Sequence, residues 1–180
     1  MSNINFNPFP QLTTSHLILR QLFLKDANEV FLLRSDKQVN KYLDRPIANS
    51  VDDARKFINN INNGINRNEF IYWAIAFKTH SKLIGSICLW NISENGTKSE
   101  LGLELLPDYQ GKGIIQGALP EVIRYGFEEM ELHSIEGEVD PKNVKSIKLM
   151  EKNGFISKNK LMNTLIYSLQ NPSKSNHQNR

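Results

Sequence analysis

The sequence predicts one α+β domain in which a largely antiparallel sheet is flanked by helices. Its 180 residues are enough for one full core and fewer than most two-domain proteins contain. Several strand-like segments follow one another in the middle of the chain with only polar turns between them, which indicates hairpins rather than βαβ units. We assign residues 1–170 to the domain and residues 171–180 to a disordered tail, because the tail has nothing to bury.

The first third of the chain predicts one strand and two helices. Residues 16–22 have the apolar density of a strand, and residues 24–36 carry apolar side chains at helical spacing. Ser50 and Asp53 stand in the S-x-x-D pattern of a capping box, and the apolar residues that follow share one helical face. The second helix is therefore predicted over residues 51–67.

Three further strands are predicted to form consecutive hairpins. Residues 70–77 and 83–90 are apolar runs that are separated by a short polar turn. Asn95-Gly96, a strong hairpin signal, then leads to a fourth strand at residues 100–106. Along that strand leucines alternate with two glutamates and a glycine, so the two carboxylates share one face of the sheet.

The last third of the chain begins with a glycine-rich turn and predicts two helices and two strands. QGKG at residues 110–113 leads into a helix whose apolar residues recur once per turn as far as Met130. A fifth strand at residues 133–140 follows, and then a short helix over residues 143–155 that stops at an Asn-Gly pair suited to a helix C-cap. Residues 163–170 are predicted to be the last strand.

Composition and charge exclude several classes of partner. The net charge of +3, from 22 basic and 19 acidic residues, is too small and too dispersed for a nucleic-acid partner. No stretch approaches the length of a membrane span and no secretory signal is present, so we expect a cytoplasmic protein with no membrane partner. The single cysteine, Cys88, is expected to be a core residue. The histidines lack ligand spacing, so no metal is expected.

The glycine-rich turn predicts an anion site at the start of a helix. The first backbone N–H groups of a helix are unpaired and lie at the positive end of its dipole, and glycine lets an anion approach them closely. A P-loop does not fit, because the chain has Leu106 and Gly113 where that motif needs Gly and Ser or Thr. The dinucleotide fingerprint fits Gly111 and Gly113, but its third glycine stands one place late, at Gly117.

Residues 110–115, Gln-Gly-Lys-Gly-Ile-Ile, resemble the Q/R-x-x-G-x-G/A loop of the GNAT superfamily of N-acetyltransferases. The segment ELGLELLPDYQGKG is similar to the strand-to-loop segment of the RimJ/RimL-like branch, which is typified by ribosomal-protein N-terminal acetyltransferases. VDPKNVKSIKLMEKNGF resembles the second motif of that branch through Asn143, Ser146 and its Glu-Lys-Asn-Gly-Phe ending. The likeness runs over about residues 12–170 and departs at Ile115, where the family usually has Gly or Ala.

The resemblance implies both the fold and the cosubstrate. It implies a mixed, mostly antiparallel sheet of about seven strands, splayed after the fourth strand and flanked by about four helices, with acetyl-CoA wedged in the splay. The pyrophosphate would lie on the amides of the glycine loop, where the helix start independently predicts an anion. The residues assigned to the cosubstrate are Leu105, Gln110, Gly111, Lys112, Gly113, Ile114, Ile115, Asn143 and Ser146, with Lys145 and Lys148 as weaker candidates.

Acetyl transfer from a thioester to an amine needs a base and a hydrogen-bond donor for the developing oxyanion. Glu104 is the predicted base because it projects from the fourth strand just before the loop, and Glu100 on the same face is the reserve candidate. The alternative interpretation of Glu104 is a solvated or ion-paired strand glutamate. The predicted oxyanion donor is a backbone N–H near Leu105 or Leu106, where related folds leave the strand unpaired.

The departing thiolate and the pantetheine arm are assigned to the last helix. Met150 stands where many relatives have a tyrosine, and the resemblance gives the acid or thiol-contact role to Ser146. Because a free thiol has a pKa of about 8.5, the thiolate leaves with little help. Asn143 has two compatible interpretations, the N-cap of this helix and a contact to pantetheine that the resemblance implies.

The acceptor is predicted to be a primary amine. Tyr42, Trp73, Trp90 and Glu100 are the predicted substrate-binding residues, although aromatic residues in strands more often belong to the core. With a pKa near 8, an N-terminal α-amine is about a tenth unprotonated at pH 7, whereas a lysine near 10.4 is under about a thousandth. We therefore predict an acetyl-CoA-dependent N-acetyltransferase, monomeric or homodimeric, that acts on the N-terminus of a protein or peptide.

Two other functions stay open at the level of sequence. One is acetylation of a small amine or an aminoglycoside, which an acidic acceptor pocket would favour. The other is a regulatory module that binds CoA without turnover, which would release no thiol with any amine. A nicotinamide oxidoreductase is a more distant alternative, because it needs the dinucleotide fingerprint that the chain matches only weakly.

Overall fold

The computed structural model describes residues 4–161 and 163–174 and shows one eight-stranded sheet with helices on both faces. The strands are β1 (Leu12–Thr13), β2 (Leu17–Arg20), β3 (Ile71–Phe77), β4 (His80–Trp90), β5 (Lys98–Leu105), β6 (Ser134–Val139), β7 (Ile156–Leu161) and β8 (Thr164–Gln170). The helices are α1 (Ala27–Ser35), α2 (Val51–Asn66), α3 (Ile114–Glu128) and α4 (Val144–Lys152), with 3-10 turns at Leu24–Asp26, Val39–Tyr42 and Pro107–Tyr109. The predicted mixed, mostly antiparallel sheet is confirmed, with eight strands in place of about seven.

The two faces of the sheet carry different helices. Tyr72 and Trp73 are consecutive residues of β3, so their side chains point to opposite faces. The Tyr72 ring packs edge-on against Phe57 of α2 at 5.9 Å between centroids, and the Trp73 ring packs against Tyr125 of α3 at 5.4 Å. A side chain at Gly137 of β6 would overlap Met150 of α4, which lies on the α3 face. Helices α1 and α2 therefore cover one face, and α3 and α4 cover the other.

The sheet splays between β5 and β6, the only parallel pair of neighbours among the described strands. Pairing joins Lys98–Glu100 to Ser134–Glu136 and then stops, although β5 continues to Leu105. On its other edge β5 stays paired with β4 as far as Leu105. The predicted splay after the fourth strand, here β5, is therefore confirmed, and the last residues of β5 have an open edge.

The three helix caps that the sequence predicts are present. The Ser50 hydroxyl accepts a hydrogen bond from the Asp53 N–H at 3.2 Å, and the Asp53 carboxylate accepts from the Ser50 N–H at 3.1 Å. At α4 the Asn143 side chain accepts from the Ser146 N–H at 3.2 Å. Gly154 ends that helix with φ +81°, a conformation that favours glycine.

Two hairpin connections differ from the prediction. The β3–β4 turn is only Lys78-Thr79, so β4 begins at His80 rather than at residue 83. Asn95-Gly96 does not close a two-residue hairpin but lies in a connection over residues 91–97. The Asn95 side-chain oxygen accepts bonds from the N–H and the hydroxyl of Thr97 (3.2 and 2.8 Å), and these side-chain bonds stabilise a wider loop.

Strands β1 and β7 were not predicted. β1 has only two residues, which is too short for a periodic signal. β7 has the sequence ISKNKL, and its lysines and asparagine are not typical of a strand, so the sequence does not predict it. Such residues are common in strands at the edge of a sheet, where β7 lies. Residues 171–174 of the predicted tail form a turn in which Asn171 is buried, and residues 175–180 lie outside the described residues. None of the helices in the described part of the chain has the length and apolar character needed to cross a bilayer.

Candidate active site

The glycine loop presents unpaired amides at the start of α3. Gly111 and Gly113 both have φ +74°, and a Cβ at either position would meet nothing within 4 Å. Gly113 is the N-cap and offers no side chain to the first turn, whose first helical bond runs from Gly117 N–H to the Gly113 carbonyl at 3.0 Å. The early N–H groups of α3 are thus left for an outside acceptor, with open space where side chains of the two glycines would stand. A diphosphate fits this site by charge and by hydrogen-bonding capacity.

The isoleucine side chains of the glycine loop do not cover its amides. Ile114 and Ile115 are each 7% exposed and belong to the hydrophobic core. The departure from Gly or Ala at Ile115 therefore places a side chain in the core, away from the approach to the amides. Lys112 is exposed, and its ammonium lies 6.0 Å from the centre of the Tyr109 ring.

Gln110 connects the loop to the splayed strand. Its side-chain nitrogen donates to the Leu105 carbonyl at 3.0 Å, and its side-chain oxygen accepts a long bond from Gln38 at 3.4 Å. Of the two candidate oxyanion donors, the Leu106 N–H is engaged with the Ile84 carbonyl on β4 at 3.0 Å. Successive N–H groups of a strand point to opposite edges, so that of Leu105 points to the open edge of β5. Leu105 is the donor that the geometry favours.

Glu104 lies in a buried hydrogen-bond network on the α1/α2 face. It is 9% exposed. One carboxylate oxygen accepts from the Arg45 guanidinium at 2.6 Å, and the other accepts from Ser86 at 3.0 Å and from Tyr72 at 3.2 Å. Tyr72 also contacts Ser86 at 2.7 Å. The carboxylate is thus ion-paired rather than solvated, as the alternative interpretation of Glu104 allows, and it lies beside the splay, as a base would need to.

Arg45 itself is held in place by Asn40. The Arg45 Nε donates to the Asn40 side-chain oxygen at 2.7 Å, and the Asn40 amide donates to the carbonyls of Leu33 and Asp36 at the end of α1 (3.0 and 2.7 Å). The α1–α2 connection is thereby tied to β5 through Glu104. No sequence signal predicts a role for Arg45 or Asn40, because they lie in a connection with no periodic pattern and no motif.

An acidic pocket lies on the α1/α2 face of the sheet, near the residues at which β5 and β6 are still paired. Glu100 and Glu136 pair across β5 and β6, so their side chains share a face, and Glu138 follows two residues later. Together with Asn91, Ser93, Lys98, Ser99 and Ile166 they line a cavity of about 230 Å³. Burial raises the pKa of Glu100, and the neighbouring Glu138 and Glu136 charges add to the rise. Lys158 offsets part of the charge, at 3.8 Å from Glu136.

The predicted residues of α4 lie at its first turn. The Asn143 oxygen serves as the cap, which confirms one of its two interpretations, and its amide nitrogen has no bond to a described residue. Ser146 is half-buried one turn into the helix, and Lys145 and Lys148 are exposed.

The aromatic residues that were predicted to bind the acceptor do not lie together in the structure. Trp73 is fully buried on the α3 face, where its indole N–H donates to the Pro10 carbonyl at 2.7 Å, so it is a core residue away from Glu104. Trp90 is 42% exposed at the end of β4 and pairs with Glu100 of the acidic pocket. Tyr42 is half-buried in the connection that carries Arg45. Cys88 lies on the Glu104 face, and burial raises the pKa of its thiol to about 12, so it stays protonated at neutral pH.

Comparison with known proteins identifies the same family that the glycine loop and the splayed sheet indicate. The sequence profile of the family described as "Acetyltransferase (GNAT) domain" matches residues 16–156. An uncharacterized N-acetyltransferase, p20 of Bacillus licheniformis, is 30% identical over 168 residues, which are 88% of this chain and 94% of p20. YnaD of Bacillus subtilis, also an uncharacterized N-acetyltransferase, is 33% identical over 144 residues, 80% of this chain and 81% of YnaD. A crystal structure of a probable acetyltransferase has a TM-score of 0.81 at 26% identity and covers 90% of this chain and 97% of its own.

Two further relatives have names that specify an acceptor. A spermidine N-acetyltransferase from Vibrio cholerae, solved with CoA and spermine, has the same fold with a TM-score of 0.78 at 22% identity, over 87% of this chain and 96% of its own. YdaF of Bacillus subtilis, a putative ribosomal N-acetyltransferase, is 36% identical over 78 residues, 43% of each chain. The chain therefore belongs to the GNAT family and is an N-acetyltransferase.

Proposed function

We propose that this N-acetyltransferase transfers the acetyl group of acetyl-CoA to the N-terminal α-amine of a protein or peptide. The observation that carries the choice of acceptor is the engagement of Glu104 by three donors, Arg45, Tyr72 and Ser86. An ionised carboxylate has about four sites for hydrogen bonds, so about one site is left for a proton or a water. Such a site suits an amine that is already partly neutral, and an α-amine meets that condition far better than a lysine or a polyamine.

The residues around the splay have the following proposed roles. The amine nitrogen attacks the thioester carbonyl carbon, and the developing oxyanion accepts a hydrogen bond from the Leu105 N–H. The oxygen of Glu104 that faces Arg45 takes the amine proton through a water. The C–S bond then breaks, and Ser146 contacts the departing thiolate. The loop amides from Gly111 to Ile115 would hold the pyrophosphate, and the Asn143 amide would hold pantetheine.

A second candidate is acetylation of a small polycation. The acidic pocket of Glu100, Glu136 and Glu138 supports it, because three carboxylates with one lysine in the lining attract a positively charged amine. The likeness to a spermidine N-acetyltransferase supports it as well. Against it stands the limited capacity of Glu104 to remove a proton from an amine with a pKa above 10.

An acceptor screen that follows free CoA tests the proposal. Peptides with a free α-amine are compared with the same peptides blocked at the N-terminus but carrying a lysine, and with spermidine and an aminoglycoside. We expect turnover with the free α-amine, and we expect kcat/KM to rise with pH and level off near pH 8, where that amine becomes neutral. Turnover with spermidine and none with any free α-amine would instead establish the second candidate. CoA binding with no thiol release from any amine would refute both.

A further inference from the structure

Arg34, in the last turn of α1, differs from the other arginines of the described chain. Its side chain is half-buried, yet it makes no ion pair and no hydrogen bond with any described residue. The other described arginines each form an ion pair with a carboxylate: Arg20, Arg45, Arg55, Arg67 and Arg124. A guanidinium has five N–H donors in a planar fork, and a half-buried fork without a partner is available to an outside acceptor.

The surroundings of Arg34 place it beside the candidate active site. Its guanidinium carbon lies 4.0 Å above the centre of the Phe57 ring, and Phe57 packs against Tyr72, whose hydroxyl reaches Glu104. Burial lowers the pKa of Arg34, and the charge of Arg45 lowers it further, while Glu104 and Tyr72 act in the opposite direction. The guanidinium groups of Arg34 and Arg45 thus both lie near Glu104, and Glu104 already forms its ion pair with Arg45.

The contact of Arg34 with the Phe57 ring does not by itself explain why this position carries an arginine rather than a lysine. A cation at a helix C-terminus interacts with the helix dipole, but a lysine would serve there as well. The contact with Phe57 places the guanidinium carbon over the ring, and no N–H of the guanidinium is bonded to a described residue. The planar fork matches the two oxygens of a carboxylate, which an ammonium group cannot do.

We propose that Arg34 is a specificity-determining residue that binds a carboxylate of the acceptor, carried by an acidic side chain close to the N-terminus that is acetylated. This inference rests on the proposed function, because it presumes a peptide acceptor. The carboxylate is assigned to the acceptor because Arg34 lies on the α1/α2 face, whereas α3 and α4, whose first turns would hold the phosphates and pantetheine, cover the other face. The acceptor and the cosubstrate then approach the splay from opposite faces.

The experiment compares pairs of acceptor peptides that differ only by Asp or Asn at the second, third or fourth residue. Each pair is measured with the wild-type chain, with Arg34→Gln and with Arg34→Lys, and KM and kcat are determined separately for peptide and for acetyl-CoA. Arg55→Gln is the matched control, because Arg55 is exposed on α2 and its one ion pair with a described residue is with Asp52. Thermal unfolding of each variant shows whether the fold is retained.

We expect the wild type to prefer one Asp peptide by about tenfold to a hundredfold in KM, the range of a hydrogen bond to a charged group. Arg34→Gln should abolish the preference, Arg34→Lys should keep only part of it, and Arg55→Gln should leave it intact, with the KM for acetyl-CoA unchanged throughout. Free α-amines acetylated with no Asp preference would overturn this inference alone. A raised KM for acetyl-CoA in Arg34→Gln would also overturn it, by assigning the anion to the cosubstrate. If no α-amine is acetylated, the proposed function itself is refuted, and this inference is refuted with it.

Discussion

Glu104 combines a position beside the open edge of β5 with a fixed set of partners. The pair that it forms with Arg45 is largely buried, with 7% of the Glu104 side chain and 21% of the Arg45 side chain exposed. Removing one member of such a pair leaves the other charge without compensation, which is more costly than the pair itself is stabilising. We therefore expect a substitution at Glu104 to affect stability, and its effect on activity has to be measured separately.

Glu104→Gln removes the charge and keeps the shape of the side chain. We expect kcat/KM to fall about a hundredfold or more, within the range of general-base effects, while the rise of kcat/KM with pH that the acceptor amine causes is retained. Unfolding in denaturant should show a loss below the 3–5 kcal/mol of a fully broken buried pair, because the amide oxygen still accepts from Arg45. Glu121→Gln on α3, which removes an exposed pair with Arg124, is the control. An unchanged kcat/KM would remove Glu104 from the mechanism.

At the scale of the element, the start of α3 has two functions that depend on the same two glycines. The left-handed conformation of Gly111 and Gly113 turns the chain from β5 into the helix, and the absence of side chains leaves the first amides uncovered. An added Cβ would meet no protein atom, so the cost of a side chain inside the protein is conformational. A ligand on the amides would meet that Cβ directly.

Gly113→Ala tests whether the amides bind the cosubstrate. The conformational strain should cost about 1–2 kcal/mol of unfolding free energy, and the KM for acetyl-CoA should rise while the KM for the acceptor stays near its original value. Gly154→Ala is the matched control, since Gly154 has φ +81° at the end of α4 and faces only Leu169 at 3.6 Å. It should lose similar stability with an unchanged KM. Equal KM changes in the two variants would show that strain, rather than a blocked anion site, is the cause.

At the scale of the whole molecule, the parts that the sequence could predict are those encoded by neighbouring residues. The glycine loop, the Asn143 cap and the alternation of β5 each lie within a few consecutive positions, so their patterns predict them. The acidic pocket and the network around Glu104 form only when β5 pairs with β6 and the α1–α2 connection packs on the sheet. Arg34 and Arg45 have no local pattern that separates them from solvated surface arginines.

The acidic pocket gives the molecule a pH-dependent stability that can be measured. The pKa of Glu100 is raised by burial and by Glu138 and Glu136, so ionisation of Glu100 destabilises the folded state. The penalty is fully present above the folded pKa and vanishes below the unfolded value of about 4.3. Glu100→Gln should therefore stabilise the protein at pH 7 by about 0.2–1 kcal/mol, the range for like charges on neighbouring strands.

The same variant separates the two acceptor classes. Unfolding of Glu100→Gln and of the wild type in denaturant is compared at pH 7 and near pH 4, and the stabilisation should disappear at the lower pH. If a polycation binds in the acidic pocket, added spermidine should offset the repulsion and stabilise the wild type more than the variant. Equal effects of spermidine on both chains would leave the pocket without a role in acceptor binding. A variant that is less stable than the wild type at pH 7 would show that the negative charge of Glu100 strengthens the bond from Asn91, at 2.8 Å, by more than the repulsion costs.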